Sequence, residues 1–214
     1  MPQLAICNLE GEKIGQVELN DEIFGVGFNE GLVHQAVVTA DSRRKRHAGN
    51  VKRRGEVVTS GRKMWRQKGL GRARHGDQGA PLFVGGGKAH APKPRSGDKA
   101  MPKKMRRKAL FCALSEAARR GRISIIEGLE MKAPKTKAIV AMLDALSARS
   151  NHVLLLLSAD EMADENIVKS CRNVSCLCVR QSPHLNARDV LWAADIIFTQ
   201  DAVAAMDRLA GEEQ

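Results

Sequence analysis

Aromatic residues are scarce in this 214-residue chain, which has no tyrosine, two tryptophans and five phenylalanines. Proteins that hold single-stranded nucleic acid by stacking bases on their side chains need more of them. Long apolar runs are also missing, since no stretch approaches the roughly 18 residues that suggest a membrane span. The first residues lack the basic and apolar pattern of a secretory leader. We therefore expect a soluble, cytoplasmic protein.

Paired cysteines are missing as well. The five cysteines are an odd number, and the chain has no C-x-x-C spacing and no histidines at matching intervals, so the pattern of a structural zinc site is absent. Cys176 and Cys178 alternate along the apolar stretch VSCLCV, and we interpret them as small buried side chains on one face of a strand. Reduced thiols fit the cytoplasm. Neither a metal nor a cofactor is predicted.

Acidic residues are almost absent from one third of the chain. Residues 43–108 contain 22 Lys and Arg but only three acids, Glu56, Asp77 and Asp98, which gives this block a net charge of +19. Because the whole chain carries +11, the two flanks together carry −8. This asymmetry indicates a polyanionic partner, and nucleic acid in particular, more strongly than the overall charge does.

The same block also lacks the residues of a hydrophobic core. Leu, Ile, Val and Phe number seven of its 66 residues, and eleven glycines and four prolines interrupt helices and strands. We predict that residues 43–98 form an extended, RNA-penetrating loop rather than a separate domain. It is inserted into a single globular α/β domain formed by residues 1–42 and 99–214. A loop of this length and charge in a compact domain indicates function.

The flanks alternate between strand and helix patterns. Short apolar strands are predicted at QLAICNL, KIGQVEL, RISIIEG, HVLLLLS, VSCLCV and DIIFT. Helices are predicted after Asn29 and over Met101–Arg120, Pro134–Leu146, Ala163–Cys171, Ala187–Ala194 and Asp201–Leu209. Continuous apolar strands between helices indicate a parallel sheet that is covered on both sides. The predicted fold class is α/β, with a parallel sheet of about four strands flanked by helices in three layers.

Two glycine-rich stretches have part of the spacing of a phosphate-binding loop. GGGK at 85–88 would need glycine at 82 and Ser or Thr at 89, where the chain has Leu82 and Ala89. GLGRAR at 69–74 has Arg74 at the place of the third glycine of a dinucleotide fingerprint, and no apolar strand precedes it. Both interpretations as nucleotide sites therefore fail.

Polar residues follow the predicted strands, where an α/β enzyme would place its catalytic groups. Ser158, Asp160 and Asp201 fit helix caps and the acids of first helical turns. Ser182 and His184 form only an S-x-H sequence in a turn. We therefore predict no enzymatic activity.

The chemistry of the basic block favours RNA. Lys and Arg neutralise phosphates, and glycines allow the backbone to approach them. The chain has neither the recognition helix nor the zinc module of a duplex DNA reader, whereas a disordered arm that folds on binding suits a folded RNA. The residues predicted to contact RNA are Arg43, Arg44, Lys45, Arg46, Lys52, Arg53, Arg54, Arg62, Lys63, Trp65, Arg66, Gln67, Lys68, Arg72, Arg74, Lys88, Lys93, Arg95, Lys103, Lys104, Arg106 and Arg107.

Several stretches resemble the bacterial large-subunit (50S) ribosomal protein L-four family, in order over residues 28–209. They are FNEGLVHQAVV, WRQKGLGRAR, the GGG at 85–87, PKPR, KKMRRKALFCALS and APKTK. The resemblance implies a structural constituent of the large subunit that binds near the 5′ end of 23S rRNA and acts early in 50S assembly. It also implies that the extended loop lines part of the polypeptide exit tunnel.

The same resemblance implies partners and a position for the loop tip. The partners are 23S rRNA, other large-subunit proteins including one that shares the tunnel constriction, and the nascent peptide in passing. The tip falls around residues 62–74, and its exit-tunnel residues are Arg66, Lys68, Gly69, Leu70 and Arg72. The chain departs from the family, which usually has Pro in place of Met64, Thr in place of Leu70 and Trp near Phe83.

Two alternatives remain open from the sequence. The first is an RNA-processing enzyme of α/β fold that carries a basic arm for substrate capture. The second is a repressor of messenger RNA translation that works off the ribosome.

Overall fold

A computed structural model of the chain describes residues 3–129, 131–148 and 152–211, without the side chains of residues 209–211. It contains two compact units. The first, which we call the body, comprises Met1–Ala40 and Ala100–Gln214. The second, which we call the basic unit, comprises Asp41–Lys99.

The described residues form eight strands and eight helices. The strands are β1 (Gln3–Cys7), β2 (Lys13–Glu18), β3 (Arg46–His47), β4 (Arg95–Ser96), β5 (Ile123–Ile126), β6 (Val153–Leu157), β7 (Leu177–Gln181) and β8 (Asp195–Thr199). The helices are α1 (Asp21–Phe24), α2 (Glu30–Arg44), α3 (Lys103–Arg119), α4 (Thr136–Ala145), α5 (Ala159–Ala163), α6 (Glu165–Cys171), α7 (Ala187–Trp192) and α8 (Gln200–Gly211).

The body contains a six-stranded sheet in the order β2-β1-β5-β8-β6-β7. All neighbouring strands are parallel except β1 and β2, which form an antiparallel hairpin. Gly11 has a φ of +85° in the hairpin turn, where a side chain would bring its Cβ within 2.8 Å of the Ala145 carbonyl oxygen. Because β1 also pairs with β5, the hairpin extends the sheet beyond the four or so strands expected.

The sheet is buried on both faces, and β6 shows this most clearly. Leu154 and Leu156 pack into a core cluster that includes residues of α1, α3, α7 and α8. Val153, Leu155 and Leu157 point the other way, into a cluster with residues of α4 and α6. Alternate side chains of a strand lie on opposite faces of the sheet, so the helices form two outer layers. The predicted three-layer α/β fold is confirmed.

Strand β7 differs from its prediction. It begins at Leu177 rather than at the start of VSCLCV, so Cys176 lies outside the strand. As an edge strand, β7 alternates between half-buried side chains such as Val179 and exposed ones, and Cys178 is exposed. The interpretation of both cysteines as buried side chains on one strand face is therefore wrong. The reason is that an edge strand is covered less completely than a central one.

The basic unit is held by backbone hydrogen bonds between an outgoing and a returning segment. Strands β3 and β4 pair in antiparallel fashion. Beyond them the backbone N–H groups donate as follows: Val51 to the Pro92 oxygen at 3.1 Å, Lys88 to the Lys52 oxygen at 3.0 Å, and Met64 to the Gly76 oxygen at 3.0 Å. Its only buried apolar side chain is Ala91, and the structure describes every residue of this unit. The unit therefore has no hydrophobic core of its own.

Candidate nucleic-acid interface

Most of the charged residues of the basic unit are positive. Residues 41–99 contain 17 Lys and Arg against four acids. All of these cations except Lys93 are exposed. Lys93 is half-buried and forms an ion pair with Glu56. The unit therefore presents 16 exposed cations and buries few side chains of any kind.

Two of the four acids connect parts of the unit. The Glu56 carboxylate pairs with Lys93 of the returning segment and accepts a hydrogen bond from the Arg53 N–H at 3.0 Å. The hydrogen bond from Lys93 is the main cause that holds the pKa of Glu56 below its ordinary value. Asp77 accepts a hydrogen bond from the Thr59 hydroxyl at 2.8 Å, which lowers the pKa of Asp77. These acids join the outgoing and returning segments.

Aromatic side chains form a small cluster near the predicted tip. The Trp65 ring meets the His75 ring edge-on with centroids 5.4 Å apart, and His75 meets Phe83 in the same way at 5.0 Å. The Trp65 indole N–H donates to the Ala73 carbonyl at 2.9 Å, and the Arg72 guanidinium lies 5.9 Å from the ring centroid. Trp65 is half-buried. Sequence reasoning assigned Trp65 to RNA contact and missed its packing role, for which the only signal was the nearby histidine.

The predicted exit-tunnel residues lie on an exposed turn. Gly69 and Gly71 have φ angles of +88° and +60°, a region of backbone conformation that favours glycine. Leu70 lies between them with 49% of its surface exposed. Arg66, Lys68 and Arg72 are also exposed. The structure thus groups the five predicted tip residues in one accessible stretch.

The remaining predicted contact residues fall into two further groups in the basic unit. Arg43, Lys45, Arg46 and Arg95 line one shallow recess around the β3–β4 ladder. The others are exposed along the two segments: Arg44, Lys52, Arg53, Arg54, Arg62, Lys63, Gln67, Arg74 and Lys88. Lys63 donates a hydrogen bond to Gln67.

Four predicted contact residues lie in the body, in the first turns of α3. Lys103, Lys104 and Arg106 are exposed, and Arg107 is half-buried. Pro102 precedes the helix and provides no side-chain cap, and no acid lies in the first turn. Cations at the positive end of a helix dipole are unfavourable by themselves. An anion bound there would relieve this repulsion.

Polar side chains at the ends of the sheet strands form hydrogen bonds with one another and with the backbone. The Ser158 hydroxyl accepts from the Glu161 N–H at 3.2 Å, and the Glu161 carboxylate accepts from the Ser158 N–H at 2.8 Å, which completes a capping box. The same carboxylate accepts from the Thr199 hydroxyl at 2.6 Å and the Leu129 N–H at 3.4 Å. One carboxylate thus joins the ends of β6 and β8 and the loop after β5. Asp160 is an acid of the first turn of α5, as predicted.

The S-x-H sequence does not form a catalytic pair. Ser182 is 1% exposed, and its hydroxyl donates to the Ala202 carbonyl at 2.8 Å. His184 is exposed. Asp201 lies in the first turn of α8. In the described part of the chain, no group of His, Cys, Asp and Glu side chains has the arrangement of a metal site, and no helix is long and apolar enough to cross a membrane.

Together the fold and the surface define a three-layer α/β protein that carries a strongly cationic, coreless unit. Comparison with known proteins identifies the family: residues 17–209 match the ribosomal protein L4/L1 family. The chain is 44% identical to the large ribosomal subunit protein uL4 of Heliobacterium modesticaldum, over 98% of this chain and 99% of that protein. It is 42% identical to the uL4 of Natranaerobius thermophilus over 98% and 99% of the two chains, and 40% identical to that of Symbiobacterium thermophilum over 99% and 100%. The chain therefore belongs to the ribosomal protein L4/L1 family, and it is not an enzyme, as the sequence predicts.

Proposed function

We propose that this protein is a structural constituent of the bacterial large ribosomal subunit, in the cytoplasm, and that it binds 23S rRNA near the 5′ end early in 50S assembly. It matches relatives over almost their whole length, and these relatives are named as large-subunit proteins. The tip of the basic unit, residues 62–74, lines part of the polypeptide exit tunnel in this proposal. Other large-subunit proteins are its neighbours.

The observation that carries the proposal is the set of 16 exposed cations in the basic unit. A folded RNA presents closely spaced phosphates, and each Lys or Arg that neutralises one releases a bound counterion. The body supports this role with the uncapped, basic first turns of α3. At the strand ends, by contrast, Glu161, Ser182 and Thr199 form side-chain hydrogen bonds within the body.

The test is a variant in which residues 50–93 are replaced by a short Gly/Ser linker, which keeps the β3–β4 ladder. Its control is the full chain with Lys13, Lys132, Lys137 and Lys169 of the body changed to Gln. Binding to a fragment from the 5′ part of 23S rRNA is measured between about 50 and 200 mM salt, together with incorporation into large subunits.

We expect the shortened variant to keep the circular dichroism of a folded α/β body. Its affinity should fall at least about a hundredfold at the higher salt concentration, with a much shallower dependence on salt. The control should bind within a few-fold of the natural chain. If the shortened variant enters large subunits as well as the full chain does, the proposed role of the basic unit is wrong.

A further inference from the structure

One cation of the basic unit differs from the other 16. Lys93 is half-buried, and its ammonium group pairs with the Glu56 carboxylate and donates to the Asn50 amide oxygen at 3.3 Å. Both partners belong to the outgoing segment, whereas Lys93 belongs to the returning segment. Lys93 therefore directs its charge into the protein, which makes it a poor candidate for contact with a phosphate.

Glu56 closes a turn of the outgoing segment. The carboxylate oxygen that pairs with Lys93 also accepts a hydrogen bond from the Arg53 N–H at 3.0 Å. The backbone N–H of Glu56 donates to the Arg53 carbonyl oxygen at 2.9 Å, and that of Val57 donates to the same oxygen at 3.2 Å. Lys93 is thus connected, through Glu56, to the turn that follows Lys52.

The returning segment lies close against this turn. The Lys88 N–H donates to the Lys52 carbonyl oxygen at 3.0 Å, and a Cβ at Gly87 would lie 2.3 Å from the Arg54 nitrogen. Four exposed cations therefore occur together here, and we call them the clustered cations: Lys52, Arg53, Arg54 and Lys88. Because like charges on neighbouring residues repel each other, their arrangement needs links between the two segments.

We propose that Glu56 and Lys93 are positioning residues, whose ion pair holds the clustered cations in a fixed arrangement for the phosphates of RNA. Side chains and backbone that are ordered before binding lose less conformational entropy when they meet their ligand. This role replaces the RNA contact that the sequence predicts for Lys93, and it gives an acid a favourable part in the binding of a polyanion. The inference rests on the proposed function, because it takes RNA as the ligand.

The test compares two substitutions that remove the same charge from the full chain. Glu56→Gln breaks the ion pair. Asp98→Asn is the matched control, since Asp98 is an exposed acid of the same unit and, within this fully described unit, its carboxylate forms no ion pair. Charge alone predicts that both variants bind RNA slightly more tightly than the natural chain. Positioning predicts instead that Glu56→Gln binds the 5′ fragment of 23S rRNA at least about threefold more weakly than Asp98→Asn does.

An exchanged pair checks that the link itself is what matters. The double variant Glu56→Lys with Lys93→Glu keeps the net charge and can form the ion pair in the opposite sense, although it loses the hydrogen bond to the Arg53 N–H. It should recover at least about half of the loss in log K that Glu56→Gln causes. Circular dichroism should show a folded body in every variant.

A second comparison separates positioning from a general loss of structure. Lys52→Gln should weaken RNA binding a few-fold in the natural chain, but clearly less when Glu56→Gln is already present. Lys68→Gln, on the exposed turn near the tip, should weaken binding by the same factor in both backgrounds. Only an acid that positions the clustered cations would couple to Lys52 and not to Lys68.

Three results would overturn the inference. They are binding by Glu56→Gln that is as tight as that by Asp98→Asn, an exchanged pair that recovers none of the loss, and equal coupling of Glu56→Gln to both lysines. If the natural chain itself does not bind the RNA fragment, the proposed function fails instead, so the two failures are distinguishable.

Discussion

The body and the basic unit obtain defined structures in different ways. In the body, strand β6 buries all five of its residues between two layers of helices. The basic unit buries one apolar side chain, Ala91, and relies on backbone hydrogen bonds, glycine turns and a few side-chain bonds such as Thr59 to Asp77. Removal of apolar surface from water stabilises the first. The basic unit leaves almost all its charge on the surface, which suits the binding of a polyanion.

The largest expected difference concerns matched leucine substitutions. Leu156 is fully buried and Leu82 is 76% exposed. Leu156→Ala should lower the free energy of unfolding by about 3 kcal/mol because it leaves a cavity in the core. Leu82→Ala should change it by less than about 0.5 kcal/mol. Urea denaturation followed by circular dichroism measures both, and equal losses would show that the basic unit is stabilised by its apolar side chains after all.

Thiol reactivity should also distinguish the buried interior of the body from the open surface of the basic unit, with a smaller expected effect. Burial raises the pKa of Cys171 to about 11, from an ordinary 9.0, so at about pH 8 this side chain remains a neutral thiol. The lower thiolate fraction alone should slow its alkylation by iodoacetamide about a hundredfold relative to the unfolded chain. Cys178 on the edge strand, and the thiol of a Ser60→Cys variant in the basic unit, should react at nearly the unfolded rate. Mass spectrometry of timed samples measures all three, and protection of the Ser60→Cys thiol would contradict the open surface described for the unit.

The smallest effect is expected from single charges. Lys52 is exposed in the basic unit, whereas Lys169 pairs with Glu165 on α6 of the body. Lys52→Gln should make the dependence of log K on log salt shallower by about 1 in RNA binding, with a loss of a few-fold in affinity. Lys169→Gln should leave both values unchanged. Filter binding at several salt concentrations tests the pair, and equal slopes for the two variants would remove the distinction between the units.

The sequence predicts the interior of the body better than its edges. DIIFT and HVLLLLS give β8 and β6 within a residue at each end, because a continuous apolar strand is buried whatever its neighbours are. VSCLCV predicts a strand that begins about three residues before β7 does, since its burial depends on its place at the sheet edge. The pairing of β1 with β5 joins residues far apart in the chain, and no local pattern indicates it.

The candidate site also has features that the sequence predicts and features that it does not. Charge can be counted from the sequence, and all the cations predicted to contact RNA in the basic unit except Lys93 are exposed. The contacts that shape the unit could not be predicted. Trp65 meets His75 across a turn, and Glu56 reaches Lys93 from the opposite segment, so both contacts depend on the chain path. The histidine close to Trp65 in the sequence is the only local signal for either contact.

The predominance of positive charge on the surface of the basic unit has a thermodynamic consequence. Each exposed cation of the basic unit that meets a phosphate sets free a small ion that had been condensed on the RNA. The association therefore gains much of its free energy from the mixing entropy of potassium and similar ions. Its strength should consequently vary little with temperature and strongly with the internal salt of the cell. A bacterium that changes its potassium content under osmotic stress would shift the proposed binding of this protein to RNA without any change in the protein itself.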